Sequence, residues 1–116
     1  MAKLKEVVEG DFRYNNMEDE AQKWLLKIPA LKKRTQEGKR IKFTDLEQFI
    51  IQMQKKYPIT MQWINLTLID GEKPWYSVSI KDKKTGKWLK TIYGLTMYEL
   101  YCKVALYIFA CTREKE

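Results

Sequence analysis

The sequence predicts a single α+β domain in which helices pack against a three-stranded antiparallel sheet. Apolar residues recur at helical spacing in the first half of the chain, alternate with polar residues in the next third, and form a dense apolar helix near the end. The predicted arrangement is an α-β-β-β-α core over residues 44–116, with an N-terminal helical arm and basic connector over 1–43 packed on the same domain. A length of 116 residues and a hydrophobic content of 45% suit one such domain with its own core.

The N-terminal arm is predicted to contain one helix. Residues 1–14 show no period and are expected to form a loosely ordered lead-in. Asn15 or Asn16 can cap a helix, and the acidic residues at 18–20 suit the positive end of its dipole. The helix is expected to end or kink at Pro29. Its apolar residues at helical spacing are Ala21, Trp24, Leu25 and Ile28.

A second helix follows a basic connector. The connector, residues 31–42, contains Gly38 and forms either a loop or a further short helix. Thr44 and Glu47 have the spacing of a capping box, in which the hydroxyl and the carboxylate each accept a hydrogen bond from a free N–H at the helix start. The helix is predicted to stop at Tyr57-Pro58. Its apolar stripe consists of Leu46, Phe49, Ile50 and Met53.

The period then changes to two, which is typical of strands. Asp70-Gly71 marks a turn between the first two strands, and residues 82–86 form a hairpin connection in which Gly86 can adopt a positive φ. A third strand is predicted over 88–93, ended by Gly94, and the pattern does not assign its inward face. The inward residues of the first two strands are predicted to be Ile64, Leu66, Leu68, Tyr76, Val78 and Ile80.

The last helix opens with a second capping box, Thr96 to Glu99. From Leu100 to Cys111 it is apolar nearly all round, and only Lys103 interrupts it. This run is too short to span a bilayer, so the helix is either buried or pairs with a second chain. The near absence of polar positions favours burial, and a homodimer through residues 97–111 is the alternative.

The residue types argue against catalysis and against a cofactor. The chain has no histidine, which excludes Ser-His-Asp and Cys-His catalysis and His-containing metal clusters. No glycine-rich phosphate loop is present, and consecutive Glu18, Asp19 and Glu20 diverge around a helix instead of converging on one ion. Cys102 and Cys111 are about 13.5 Å apart along the last helix, so they cannot bond to each other and are expected to be small core residues.

The start of the sequence is charged and shows no secretory signal. We therefore expect a protein of a reducing, cytoplasmic compartment that does not enter a membrane.

The net charge of +7 is concentrated in two windows. Residues 31–42 carry a net charge of +5 and residues 81–90 carry +4. Such windows attract phosphate backbones or acidic protein surfaces, and the alternative is that they are solvated loops with solubilising lysines. The candidate binding residues are Lys32, Lys33, Arg34, Lys39, Arg40 and Lys42 in the first window, and Lys81, Lys83, Lys84, Lys87 and Lys90 in the second.

Two tryptophans extend this candidate site. Trp63 and Trp75 are each expected on the strand face opposite the inward residues. If these faces coincide, tryptophans surrounded by lysines would suit single-stranded nucleic acid, or a protein partner for which they are hot spots. The alternative is that a helix covers this face too and that the tryptophans belong to the core.

The predicted core has two resemblances. From residue 44 onward its order of elements resembles a double-stranded RNA-binding domain, although Met97, Tyr98 and Glu99 stand where that family has a lysine cluster. Three segments resemble small phage proteins of the ABA-sandwich type, namely 43–45, 75–78 and 100–106. The second resemblance implies a bacteriophage or prophage accessory protein that acts on host nucleic-acid machinery or defence inside an infected bacterium.

The function predicted from these features is non-catalytic. The leading hypothesis is a phage or mobile-element accessory protein that binds nucleic acid or a nucleoprotein through the two basic windows, with salt-sensitive affinity. The alternative is an anti-CRISPR-like inhibitor that binds a host defence complex by protein–protein contacts.

Overall fold

The computed structural model describes residues 3–14, 16–57, 59–66 and 75–113, and for 60–66, 75 and 113 it describes the backbone alone. The described elements, in chain order, are α1 (Leu4–Glu9), α2 (Met17–Leu25), α3 (Pro29–Arg34), α4 (Phe43–Lys56), β1 (Ile59–Leu66), β2 (Trp75–Asp82), β3 (Trp88–Gly94) and α5 (Met97–Arg113). The prediction of a mixed α+β fold with an antiparallel sheet is confirmed.

The sheet has the strand order β1-β2-β3, and both pairs are antiparallel. Val78 lies opposite Trp63 on one side and opposite Ile92 on the other. The β2–β3 register is irregular next to Ile80 and Lys81, where Leu89 is left without a partner. The connection between β2 and β3 is the predicted hairpin, and Gly86 has the expected positive φ of 72°.

The helices pack around α5, which lies against β2 and β3 and also contacts α1, α2 and α4. Val78, Ile80 and Ile92 form the sheet's contribution to the core and are at most 2% exposed. The prediction that the last helix is buried is confirmed, since its largest apolar side chains are enclosed by elements of the same chain. Cys102 is fully buried, as expected of a core residue, whereas Cys111 is half-buried.

The expectation of a loosely ordered lead-in is wrong, because α1 forms within it. Leu4, Val7 and Val8 make a stripe at i, i+3 and i+4, and Val7 and Val8 are buried in the common core. A helix of six residues is too short to reveal a period in sequence, and its stability comes from packing against α5.

Pro29 starts a helix instead of only ending one. The first predicted helix, α2, ends at Leu25, and Ile28 adopts an extended conformation just before Pro29 opens α3. A proline at the first helical position loses no hydrogen bond, because that N–H has no partner inside the helix. The connector therefore begins as a short helix and continues as a loop in which Gly38 has a φ of 78°.

Of the predicted helix caps within the described residues, only the one at Thr96 forms. Asn16 precedes α2 but has a left-handed φ of 53° and makes no side-chain cap, and Asn15 lies outside the described residues. The capping box at Thr44 is wrong, since α4 begins at Phe43 with Lys42 in the capping position, two residues before Thr44. At α5 the Glu99 N–H donates to Thr96 Oγ1 at 3.0 Å, which confirms the hydroxyl half of that box.

The predicted end of the second helix agrees with α4, which stops at Lys56 with Tyr57 as its C-cap. Pro58, Leu68 and the Asp70-Gly71 turn lie outside the described residues.

Candidate functional site

One face of β2 and β3 carries exposed aromatic and polar side chains. Cross-strand pairs share a face, and the pairs here are Ser77 with Tyr93, Ser79 with Thr91 and Lys81 with Trp88. We call these six residues the open face; Ser77, at the Tyr93 end, is itself buried. Trp88 is 57% exposed and Tyr93 is 50% exposed. The hydroxyls of Ser79 and Thr91 are 3.1 Å apart and hydrogen-bonded, which fixes the middle of the row.

At one end of the open face a lysine lies over an indole ring. The Lys81 Nζ is 5.3 Å from the centroid of Trp88, within the range of a cation–π interaction. The contact holds the indole and the ammonium together at the base of the hairpin. A ligand at this end therefore meets a positive charge and an aromatic surface at once.

The hairpin itself is ordered by Asp82. Its carboxylate accepts hydrogen bonds from the backbone N–H groups of Lys84, at 2.8 Å, and Thr85, at 3.4 Å. The Gly86 N–H donates to the Asp82 carbonyl at 2.9 Å and closes the turn. The single acidic residue of the hairpin thus faces the backbone of the turn.

Three hairpin lysines face solvent without acidic partners. Lys83, Lys84 and Lys87 are exposed, and none forms an ion pair with any carboxylate in the described part of the chain. Together with Lys81 they place four cations at the Trp88 end of the open face. We call Lys83, Lys84 and Lys87 the hairpin lysines.

Lys90 belongs to a different surface. It pairs with Ile80 across the sheet, and its ammonium donates to the Glu9 carboxylate at 2.7 Å. This hydrogen bond lowers the pKa of Glu9. Lys90 therefore ties β3 to α1, on the opposite face of the sheet from the open face.

The first basic window lies on the helical layer. Lys32, Lys33 and Arg34 are exposed on α3, which packs against α4, and Lys39 and Lys42 are exposed in the loop that follows. This window is therefore on other elements than the hairpin.

Arg40 is engaged within the chain and differs from its neighbours in that window. Its guanidinium pairs with Glu18 and lies 5.2 Å from the centroid of the Tyr98 ring. The Tyr98 hydroxyl in turn donates to the Ile41 carbonyl and accepts from Gln22 Nε2 at 2.8 Å. These contacts fasten the connector to α2 and α5.

Trp63 and Trp75 are described by their backbones, and the register places them in different rows. Trp63 lies opposite Val78 in the row that includes the buried residues of β2 and β3. Trp75 is paired with Leu66 and lies two residues before Ser77 on β2, so it shares the face of Ser77. The sheet therefore does not bring the two tryptophan positions together on one face.

The aromatic residues that the structure does place on the open face, Trp88 and Tyr93, were not predicted as site residues. Strict alternation would put positions 88 and 93 on opposite faces, because they are an odd number of residues apart. The unpaired Leu89 shifts the alternation, so both rings share a face. An irregularity of this kind has no period to detect in sequence.

A buried ion pair supports the far end of the open face. The Lys103 ammonium donates to Glu99 Oε2 at 2.8 Å and to the Tyr93 carbonyl at 2.9 Å. It also lies 5.4 Å from the centroid of the Phe12 ring. The Lys103 side chain is 4% exposed and that of Glu99 is 5% exposed. This pair fixes the end of β3 to α5.

Other chemistry is sparse in the described residues. No group of three or more Cys, Asp or Glu side chains is placed there to hold a metal ion. Burial raises the pKa of the Cys102 thiol to about 12, which leaves it protonated at neutral pH. None of the helices in the described ranges is long and apolar enough to cross a membrane.

Comparison with protein-family models, with curated proteins and with solved structures finds no match to this chain.

Proposed function

We propose that this protein is a non-catalytic nucleic-acid-binding protein, and that the hairpin lysines and the adjoining open face form its binding surface. The observation that carries the proposal is the group of four cations, Lys81 and the hairpin lysines, at the Trp88 end of a face that exposes two aromatic rings. Lysines in this arrangement neutralise phosphates and release bound counterions, which drives nucleic-acid binding.

The order of the hairpin supports binding over simple solvation. A solubilising surface usually has charges of both signs interspersed, which weakens its field. Here the carboxylate of the hairpin's single acidic residue, Asp82, is bonded to the backbone of the turn. The lysines therefore project from a fixed turn, and less conformational entropy is lost when a polyanion binds.

The biological setting is part of the same proposal. The resemblance to small phage proteins supports a bacteriophage or mobile-element accessory protein that acts in the bacterial cytoplasm. A second candidate is an inhibitor of a host defence complex, and the exposed apolar side chain of Leu89 beside Trp88 favours it, because exposed apolar and aromatic residues are typical of protein interfaces.

The proposal is tested by two matched charge reversals. Lys83→Glu/Lys84→Glu/Lys87→Glu and Lys32→Glu/Lys33→Glu/Arg34→Glu each reverse three exposed cations and lower the net charge equally. We expect the hairpin variant to lose affinity for a labelled oligonucleotide by about tenfold or more, and the α3 variant to lose much less. Fluorescence anisotropy at two salt concentrations measures both.

Equal losses in the two variants would show that only overall charge matters and that the hairpin is no specific site. A partner protein that is retained after nuclease treatment and in high salt, with no oligonucleotide binding, would favour the inhibitor instead.

A further inference from the structure

We propose that the nucleic acid held by this surface is single-stranded, and that its bases stack on Trp88 and Tyr93 while its phosphates contact Lys81 and the hairpin lysines. This inference rests on the proposed function and specifies its ligand. It is argued from the two exposed aromatic rings of the open face, because binding of phosphates by lysines alone gives those rings no role.

The spacing of the two rings suits unstacked bases. Trp88 lies opposite Lys81 and Tyr93 lies opposite Ser77. Four residues along a strand correspond to about 13 Å, so the two aromatic positions are separated by roughly that distance. RNA-binding sheets in general use aromatic residues in this way to stack two or three bases. In a duplex, by contrast, the faces of the bases are already stacked on each other and cannot meet the rings.

Polar groups between the rings can contact a base edge. Ser79 and Thr91 are hydrogen-bonded to each other, and one hydroxyl proton makes that bond. The second hydroxyl keeps its proton free to donate. A base lying between the two stacked bases would thus meet a hydrogen-bond donor. Because every base has acceptors, this contact can form with any base sequence of the bound strand.

The Trp88 ring and the Tyr93 backbone are both held before a ligand arrives. The indole of Trp88 lies against the Lys81 ammonium, and the Tyr93 carbonyl accepts from the buried Lys103. Such preorganisation lowers the entropy lost on binding. The open face is also asymmetric, because the cations lie at its Trp88 end and Tyr93 lies at the other end.

Two kinds of oligonucleotide test the inference on the unmodified chain. The probes are a fluorescein-labelled dT 12-mer and a labelled 12-base-pair duplex, measured by fluorescence anisotropy in the same buffer. We expect the single strand to bind about tenfold more tightly or better, since stacking on aromatic residues is available to it alone.

Ring variants test the stacking itself. The double variant Trp88→Leu/Tyr93→Leu removes both aromatic faces but keeps apolar side chains suited to an exposed strand. We expect the loss of each ring to weaken binding of the single strand by about fivefold to a hundredfold. Trp88→Phe/Tyr93→Phe keeps aromatic faces and should retain most of the affinity. Tyr14→Leu is the matched control, because Tyr14 is 59% exposed outside the sheet.

The outcomes separate the inference from the function on which it rests. Equal affinity for duplex and single strand, with no effect of the leucine variants, would overturn the inference. If the hairpin charge reversal still abolished binding in that case, the proposed function would stand. Binding of neither probe would overturn both. Because the comparison of probes needs no substitution, it decides the question even if a ring variant fails to fold.

Discussion

Lys103 is a charged residue inside the most apolar helix of the chain, and its surroundings show why it is tolerated. Its ammonium has a carboxylate one helical turn away, a backbone carbonyl of β3 and the face of an aromatic ring. A buried ion pair of this kind adds little net stability, because the cost of removing both charges from water offsets their attraction. Loss of one member, however, leaves the other without compensation.

We therefore predict that Lys103→Met lowers the free energy of unfolding by about 3–5 kcal/mol. The double variant Glu99→Leu/Lys103→Met should recover most of this loss, because no lone charge then stays buried. Urea unfolding monitored by circular dichroism measures both variants. A double variant no more stable than Lys103→Met would contradict a coupled pair.

Sequence reasoning at this scale succeeds where the neighbours are local. The burial of Cys102 follows from its place in an apolar helix. The ion pair of Glu99 with Lys103 was not predicted, although i, i+4 is a recognised pairing distance on a helix. The contact of Lys103 with Tyr93 and Phe12 depends on how three separate segments pack. No local pattern contains that information.

Two helices show that the same local motif can have different outcomes. Thr44 and Thr96 each stand three residues before a glutamate, yet only Thr96 caps its helix. At α4, the Phe43 ring stacks on Tyr101 with centroids 4.4 Å apart, and Ile41 is buried two residues earlier. We attribute the earlier start of α4 to this tertiary packing, which outweighs the local signal.

This difference predicts unequal effects of two identical substitutions. Thr96→Ala removes the acceptor for the Glu99 N–H and should lower the free energy of unfolding by about 1 kcal/mol. Thr44→Ala, at an exposed position inside the first turn of α4, should change it by less than about 0.5 kcal/mol. Thermal or urea unfolding of the two variants side by side gives the comparison. A larger effect at Thr44 would mean that it caps α4 after all.

The candidate site was predictable only in part at the scale of elements. The hairpin and its lysines follow from the run of turn residues with Gly86, and the structure exposes the predicted Lys83, Lys84 and Lys87 there. The aromatic half of the open face depends on the unpaired Leu89, which reverses the alternation within β3. Lys90 has the same charge and neighbourhood in sequence as the hairpin lysines, but its pairing with Glu9 becomes visible only once α1 is placed.

At the scale of the whole molecule, the N-terminal arm is part of the core and not an attachment to it. Residues 1–43 supply seven of the nineteen buried apolar residues in the described part of the chain. Both α1 and α2 contact α5 directly. The boundary at residue 44 therefore marks a change in the sequence pattern and does not separate two cores. The seven residues are Val7, Val8, Ala21, Leu25, Ile28, Leu31 and Ile41.

We predict that a fragment of residues 44–116 shows no cooperative unfolding transition by itself. Burial of seven apolar side chains contributes on the order of 10 kcal/mol, which is comparable to the whole stability of a typical domain, about 5–15 kcal/mol. Adding a peptide of residues 1–43 should restore a transition, because it covers α5 again, and the same peptide carrying Leu25→Asp should not. Urea titrations monitored by circular dichroism distinguish these cases. A cooperative transition of the fragment alone would show that α5 and the sheet suffice, and that the arm is dispensable for folding.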